Sequence, residues 1–98
     1  LGSMYQELDR ALEALPHHER AVALEPARAI SRLNYGNALF MLKNYSAASE
    51  QYRRAVEIEP DFVDAWDNLA VALVQMDLHM EAVAAKRQSN LLRKRGGG

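Results

Sequence analysis

Two stretches of the chain can be laid one over the other without a gap: AISRLNYGNALFMLKNYSAASEQYRRAVEIEPDF (Ala29–Phe62) and VDAWDNLAVALVQMDLHMEAVAAKRQSNLLRKRG (Val63–Gly96). Under this 34-residue shift Asn34 meets Asn68, Gly36 meets Ala70, Ala38 meets Ala72, Leu39 meets Leu73 and Ala48 meets Ala82. Shifted the other way, Ala48 meets Ala14, Ala55 meets Ala21 and Pro60 meets Pro26, so that RAVALEP and RAVEIEP are nearly one text repeated. Self-similarity at this period predicts stacked supersecondary units, each too small to bury its own apolar face.

Each period divides into two amphipathic halves. In residues 29–42, Ile30, Leu33, Tyr35, Leu39, Phe40 and Leu42 crowd a helix on more than one side, as a helix wedged between neighbours requires. Lys43-Asn44 is a polar break. Residues 45–58 then place Ala48, Tyr52, Ala55 and Val56 at three- and four-residue spacing. Pro60 stops this helix, since its ring and missing N–H cannot continue one. Asp61 is expected to cap the next helix, with Asp64 in its first turn, and Asp77 to cap the last. The small residues allow close pairing: Gly36 or Ala70 against Ala48 or Ala82. No segment alternates with a period of two, so strands are excluded. The fold class is all-α, in stacked antiparallel helical hairpins.

Composition narrows the chemistry. The 98 residues include no cysteine, which removes a disulfide framework, a thiolate metal site and a cysteine nucleophile together. Residues 1–85 hold seven Lys/Arg against all thirteen Asp/Glu, a net −6, while residues 86–98 hold five cations and no acid. An acidic body with a basic end is not the footprint of a nucleic-acid binder. The cations of KRQSNLLRKR suit the last turns of a final helix, opposite its negative dipole end. No apolar run approaches the ~20 residues of a membrane span; a soluble, cytoplasmic chain is the expectation. Adjacent His17 and His18 point ~100° apart on a helix and cannot share one metal ion. No nucleophile elbow, phosphate loop or dinucleotide fingerprint occurs. The reading is a non-enzyme, with no cofactor, no metal and no catalytic residue.

Trp66, Leu69, Ala70 and Leu73, and in the preceding period Gly36, Ala48, Tyr52 and Pro60, together resemble the tetratricopeptide pattern W-x2-L-G-x2-Y, A-x3-F, P. Leu1, Gly2 and Tyr5 fall on the same text one period earlier, so the resemblance covers about two and a half repeats. It implies one module: a partial repeat (1–28), a repeat (29–62), a repeat with a polar terminal helix (63–95) and a flexible tail (96–98). Leu1-Gly2-Ser3 before Met4 reads equally as the remnant of a cleaved expression tag, in which case those matches are accidental. A chain entering mid-repeat reads as a fragment of a longer array. Three departures stand out. Arg32 takes the tryptophan place, Pro16 is expected to kink the second helix of the first hairpin or delay its start, and Lys86 and Ser89 are expected to form a polar cap on the end of the stack.

The resemblance further implies a right-handed superhelical solenoid whose concave face is lined by the first helix of each repeat. Carried over by position, the inner residues are Ser3, Gln6 and Glu7, then Ile30, Leu33, Asn34, Asn37, Phe40 and Met41, then Asp64, Asp67, Asn68, Val71, Val74 and Gln75. Asn34 and Asn68 recur one repeat apart, where an amide can both give and accept a hydrogen bond with a peptide backbone; this is similar to the asparagine ladder of O-linked N-acetylglucosamine transferases. Leu33, Phe40 and Met41 are expected to form an apolar floor, and Glu7, Asp64 and Asp67 an acidic rim. The expected partner is therefore an extended peptide or protein segment with apolar and basic residues. Asp64 and Asn68 stand where chaperone-tail clamps of this family carry cations, which argues against an acidic tail. The alternatives are a self-associating scaffold, with Tyr5, Leu91 and Leu92 available for stacking, and a targeting segment of a larger enzyme.

Overall fold

The computed structural model describes the backbone of residues 2–97 and the side chains of residues 8–95. Five helices follow one another: α1 (Gly2–Leu24), α2 (Ala29–Met41), α3 (Tyr45–Ile58), α4 (Val63–Gln75) and α5 (His79–Gly97). Each packs against its sequence neighbours, and α2 also touches α4. This is an all-α stack of antiparallel hairpins, as the 34-residue period requires.

The turns repeat atom for atom. At the end of α2, the Lys43 N–H donates to the Phe40 carbonyl and the Asn44 N–H to the Leu39 carbonyl, both at 2.9 Å. At the end of α4, the Asp77 N–H donates to Val74 (3.0 Å) and the Leu78 N–H to Leu73 (2.9 Å). Both are Schellman closures with a left-handed residue after the helix, Lys43 at φ 64° and Asp77 at φ 62°. Asp77 therefore ends α4 rather than capping α5, contrary to expectation. Asp61 does not cap α4 either: the N-cap is Phe62, and no side chain bonds there. Among the described residues a side chain serves only in the middle repeat, Asn44 Oδ1 accepting from the Ala47 N–H at 3.4 Å.

Helix starts are tied down in a second way. The Trp66 indole donates to the Pro60 carbonyl at 2.7 Å. One period earlier Arg32 donates to the Pro26 carbonyl through Nη2 at 3.3 Å and Nε at 3.4 Å, and its Nη1 reaches Gln51 Oε1 at 3.1 Å. A guanidinium thus delivers the N–H that the indole would supply, so the loss of tryptophan at this position keeps the hydrogen bond.

The core runs through Leu33, Leu39, Tyr52, Val56, Leu69 and Leu73, with alanines 48, 55, 65, 72, 82 and 85 where backbones approach. Gly36 serves a ring rather than Ala48: a Cβ there would lie 2.6 Å from Cε1 of Tyr52, itself 1% exposed.

The two ends depart from the sequence reading. The first repeat is not a hairpin: α1 is one helix of 23 residues with Pro16 inside it. Pro16 and Leu12, whose carbonyl would receive the missing N–H, are both exposed, so water can satisfy that carbonyl. At the other end, Ser89 is not part of a solvated cap. It is fully buried between α4 and α5, where its hydroxyl donates to Asp67 Oδ1. Helix α5 also continues through Gly97, into the segment expected to be a flexible tail; Gly98 lies outside the described residues.

Candidate functional site

The face shared by α2 and α4 carries a row of clefts. The central one, about 300 Å³, is lined by Asn37, Phe40 and Met41 of α2, Tyr52 of α3, and Asn68 and Val71 of α4. A second, about 400 Å³, lies between α1 and α2 and shares Asn37 and Met41, adding Arg10, Ala11, Ala14, His18, Asn34 and Ala38. A third, about 440 Å³, lies between α4 and α5 and shares Val71 with the first.

Asn37 organises the centre. Its Oδ1 accepts from the Tyr52 hydroxyl at 2.7 Å and from Asn68 Nδ2 at 2.9 Å. Burial pushes the Tyr52 phenol up to about 12, so it remains a donor throughout the ordinary pH range. With Oδ1 occupied twice, the Asn37 amide nitrogen has no partner among the described residues and stands at the junction of two clefts. The Asn68 carbonyl oxygen is likewise unpaired there. One donor and one acceptor, fixed by internal bonds and flanked by Phe40, Met41 and Val71, can address the C=O and N–H of an extended backbone.

The expected site residues separate into groups. Asn37, Phe40, Met41, Asn68 and Val71 come together in the central cleft. Asn34 does not pair with Asn68; it lies in the α1/α2 cleft, and Asn37 takes the position beside Asn68. Leu33 is no groove floor, being 7% exposed and packed in the core. Asp64 and Gln75 are exposed and line none of the three clefts. Ser3, Gln6 and Glu7 lie outside the described side chains. Tyr52 is a site residue that sequence reasoning misses, because its second-helix position marks it as core; the structure places it in the core and in the lining of the central cleft.

Contrary to expectation, Asp64 and Asp67 form no acidic rim among the described residues. Asp67 is neutralised within the chain by Lys86 (Nζ to Oδ1, 3.3 Å), by Arg93 and by the Ser89 hydroxyl. Burial works to raise the Asp67 pKa, but the hydrogen bonds from Ser89, Lys86 and Arg93, with the charge of Lys86, outweigh it and hold the carboxyl below its usual value. On the opposite side of the groove, Arg10 and His18 line the α1/α2 cleft. Among the described residues, no helix is long and apolar enough to cross a membrane.

The sequence profile described as TPR repeat matches residues 36–77. The tetratricopeptide repeat-containing protein trd-1 of Caenorhabditis elegans is 32% identical over 63 residues, which is 64% of this chain and 8% of that protein. A crystal structure of MamA superposes with a TM-score of 0.87 at 24% identity, covering 99% of this chain and 57% of that one. MamA from Desulfovibrio magneticus gives 0.85 at 24%, covering 88% and 49%. The second TPR of Spaghetti (RPAP3), bound to the HSP90 peptide SRMEEVD, gives 0.80 at 19%, covering 91% of each chain. The chain spans about half the length of the MamA structures and a small part of the worm protein. With the 34-residue period and the repeated turns, the profile match over residues 36–77 makes the chain similar to the tetratricopeptide repeat family.

Proposed function

We propose that the chain holds an extended segment of a partner protein in the clefts between α1, α2 and α4, with Asn37 and Asn68 addressing the partner's backbone and Met41, Phe40 and Val71 receiving apolar side chains. The observation that carries this reading is the doubly occupied Oδ1 of Asn37, which orients a free amide donor into the cleft. Pre-ordering of that kind lowers the cost of fixing side chains on binding. That a protein of this fold holds a peptide, as the second TPR of Spaghetti does, supports the mode without identifying the client. The neutralised Asp67, and Arg10 on the opposite side of the groove, favour an apolar segment without a required basic residue.

The test is selection of peptides from a random displayed library on the folded chain, followed by calorimetry. Asn37→Ala and Val71→Asp should each weaken a selected peptide tenfold or more, while the exposed change Arg54→Ala on α3 should leave it unchanged. Equal binding to all variants would show that the groove is not the site.

A further inference from the structure

The central cleft offers a ligand a single hydrogen-bond acceptor. A side-chain carbonyl has two lone pairs, and both of those on Asn37 Oδ1 are taken, by the Tyr52 hydroxyl at 2.7 Å and by Asn68 Nδ2 at 2.9 Å. Phe40, Met41 and Val71 bring no oxygen or nitrogen in their side chains, and Tyr52 is 1% exposed. Asn68 Oδ1 is the acceptor that remains, with the Asn37 amide nitrogen as a donor in the same cleft. The lining also contains no Lys, Arg, His, Asp or Glu, so a charged group entering it would lose its water without gaining a partner.

Tyr52 fixes this arrangement. An asparagine amide takes the orientation that its hydrogen bonds favour. Turned over, Asn37 would present its NH2 group to Asn68 Nδ2, donor against donor, and the Tyr52 proton would lose the one acceptor it has among the described residues. We infer, on the groove reading above, that the bound segment is read at Asn68 Oδ1 through one backbone N–H, so that one position of the segment must be an uncharged residue other than proline. Proline has no N–H to give, and it would leave Asn68 Oδ1 without a partner beneath the bound segment. Tyr52 is a positioning residue for this selection. By filling Asn37 Oδ1 it prevents a second N–H from being accepted there, and it keeps the Asn37 nitrogen turned toward a C=O of the segment. The remaining contacts, apolar packing and the Asn37 donor, are indifferent to proline.

The test is an ester scan of a peptide selected on the full chain from the random library. Each backbone N–H of the peptide is replaced in turn by oxygen, which removes a donor without adding bulk, and binding is measured by calorimetry. One replacement should weaken binding about tenfold or more, and proline should be absent from that position among the selected sequences. In Asn68→Ala the penalty at that position should vanish, because the acceptor is gone; circular dichroism checks that the variant is folded. Tyr52→Phe, which frees a lone pair on Asn37, should shrink the same penalty by at least about threefold. A Tyr52 that served only the core would lower the affinity of the parent and ester peptides alike, and an unchanged penalty in Tyr52→Phe overturns its positioning role. Penalties spread evenly along the peptide, or a penalty that persists in Asn68→Ala, overturn the inference and leave the groove reading standing. Peptides that bind Asn37→Ala and Val71→Asp as tightly as the parent chain overturn the groove reading, and the inference falls with it.

Discussion

The ring of Tyr52 lies where the side chain of residue 36 would begin: a Cβ on Gly36 would stand 2.6 Å from Cε1 and 2.8 Å from Cδ1. In the next repeat the corresponding pair is Ala70 and Lys86, and the half-exposed lysine leaves room for the methyl group. The small residue on the first helix and the large one on the second are thus chosen together. Gly36→Ala removes a helix-interior glycine, worth roughly 0.5–1 kcal/mol in its favour. It also overpacks a buried ring, at about 1–3 kcal/mol. The net expectation is destabilisation, read from urea unfolding. In a Tyr52→Lys background the same change should cost less, giving a measurable coupling energy.

Asp67 makes stability depend on acid. Burial acts to raise its pKa, and the bonds from Ser89, Lys86 and Arg93 with the charge of Lys86 bring it below the usual value of 3.8. A group whose folded pKa is depressed contributes stability that is present above the unfolded pKa and lost as pH falls through the folded one. The chain should therefore hold this contribution from about pH 5 upward and lose it progressively below about pH 4. Thermal unfolding of Asp67→Asn over the same range should show a shallower acid limb. Asp67→Ala at neutral pH should cost about 1–3 kcal/mol, because the buried Ser89 hydroxyl loses its acceptor.

Much of the architecture was readable from the 34-residue period, because each match constrains a different contact: Pro26 and Pro60 accept the N–H groups of Arg32 and Trp66, and Ala48 and Ala82 lie at close helix approaches. What escaped reading depended on how side chains resolve local competition. Asp61 and Asp77 have cap-forming chemistry, but the Schellman closure of α4 claims Asp77 for the preceding helix, and Asp61 stands one residue before the Phe62 N-cap. Ser89 reads as a surface residue from sequence because its half-buried acceptor, Asp67, sits 22 residues away on another helix. Within the groove, Asn68 bonds Asn37 rather than its repeat counterpart Asn34, a contact between helices of different repeats that no single-repeat pattern encodes.

Lys43 and Asp77 each occupy a left-handed backbone position without being glycine. For an L-residue with a Cβ that conformation costs roughly 1–2 kcal/mol, part of which glycine returns as extra freedom of the unfolded chain. Lys43→Gly and Asp77→Gly should each stabilise by about 0.5–1 kcal/mol and, being 34 residues apart with no shared partner, should add. Denaturant midpoints of the single and double variants at unchanged m-value provide the measurement.

Pro16 gives the last test. It sits inside α1 with no N–H to offer the Leu12 carbonyl, at an exposed position where solvent can take the place of the bond. The hydrogen bond is thus exchanged rather than buried unmade, which explains why the helix survives a residue that usually ends one. The intrinsic cost remains, since proline is ~3 kcal/mol worse than alanine in a helix interior. Some of that cost is offset by the proline's stiffening of the unfolded chain. Pro16→Ala should therefore raise stability by about 1–2 kcal/mol, and hydrogen exchange should locate the gain in residues 8–24 and the facing side of α2. A neutral result, or one spread evenly over α4 and α5, would mean that α1 does not rely on continuity through residue 16.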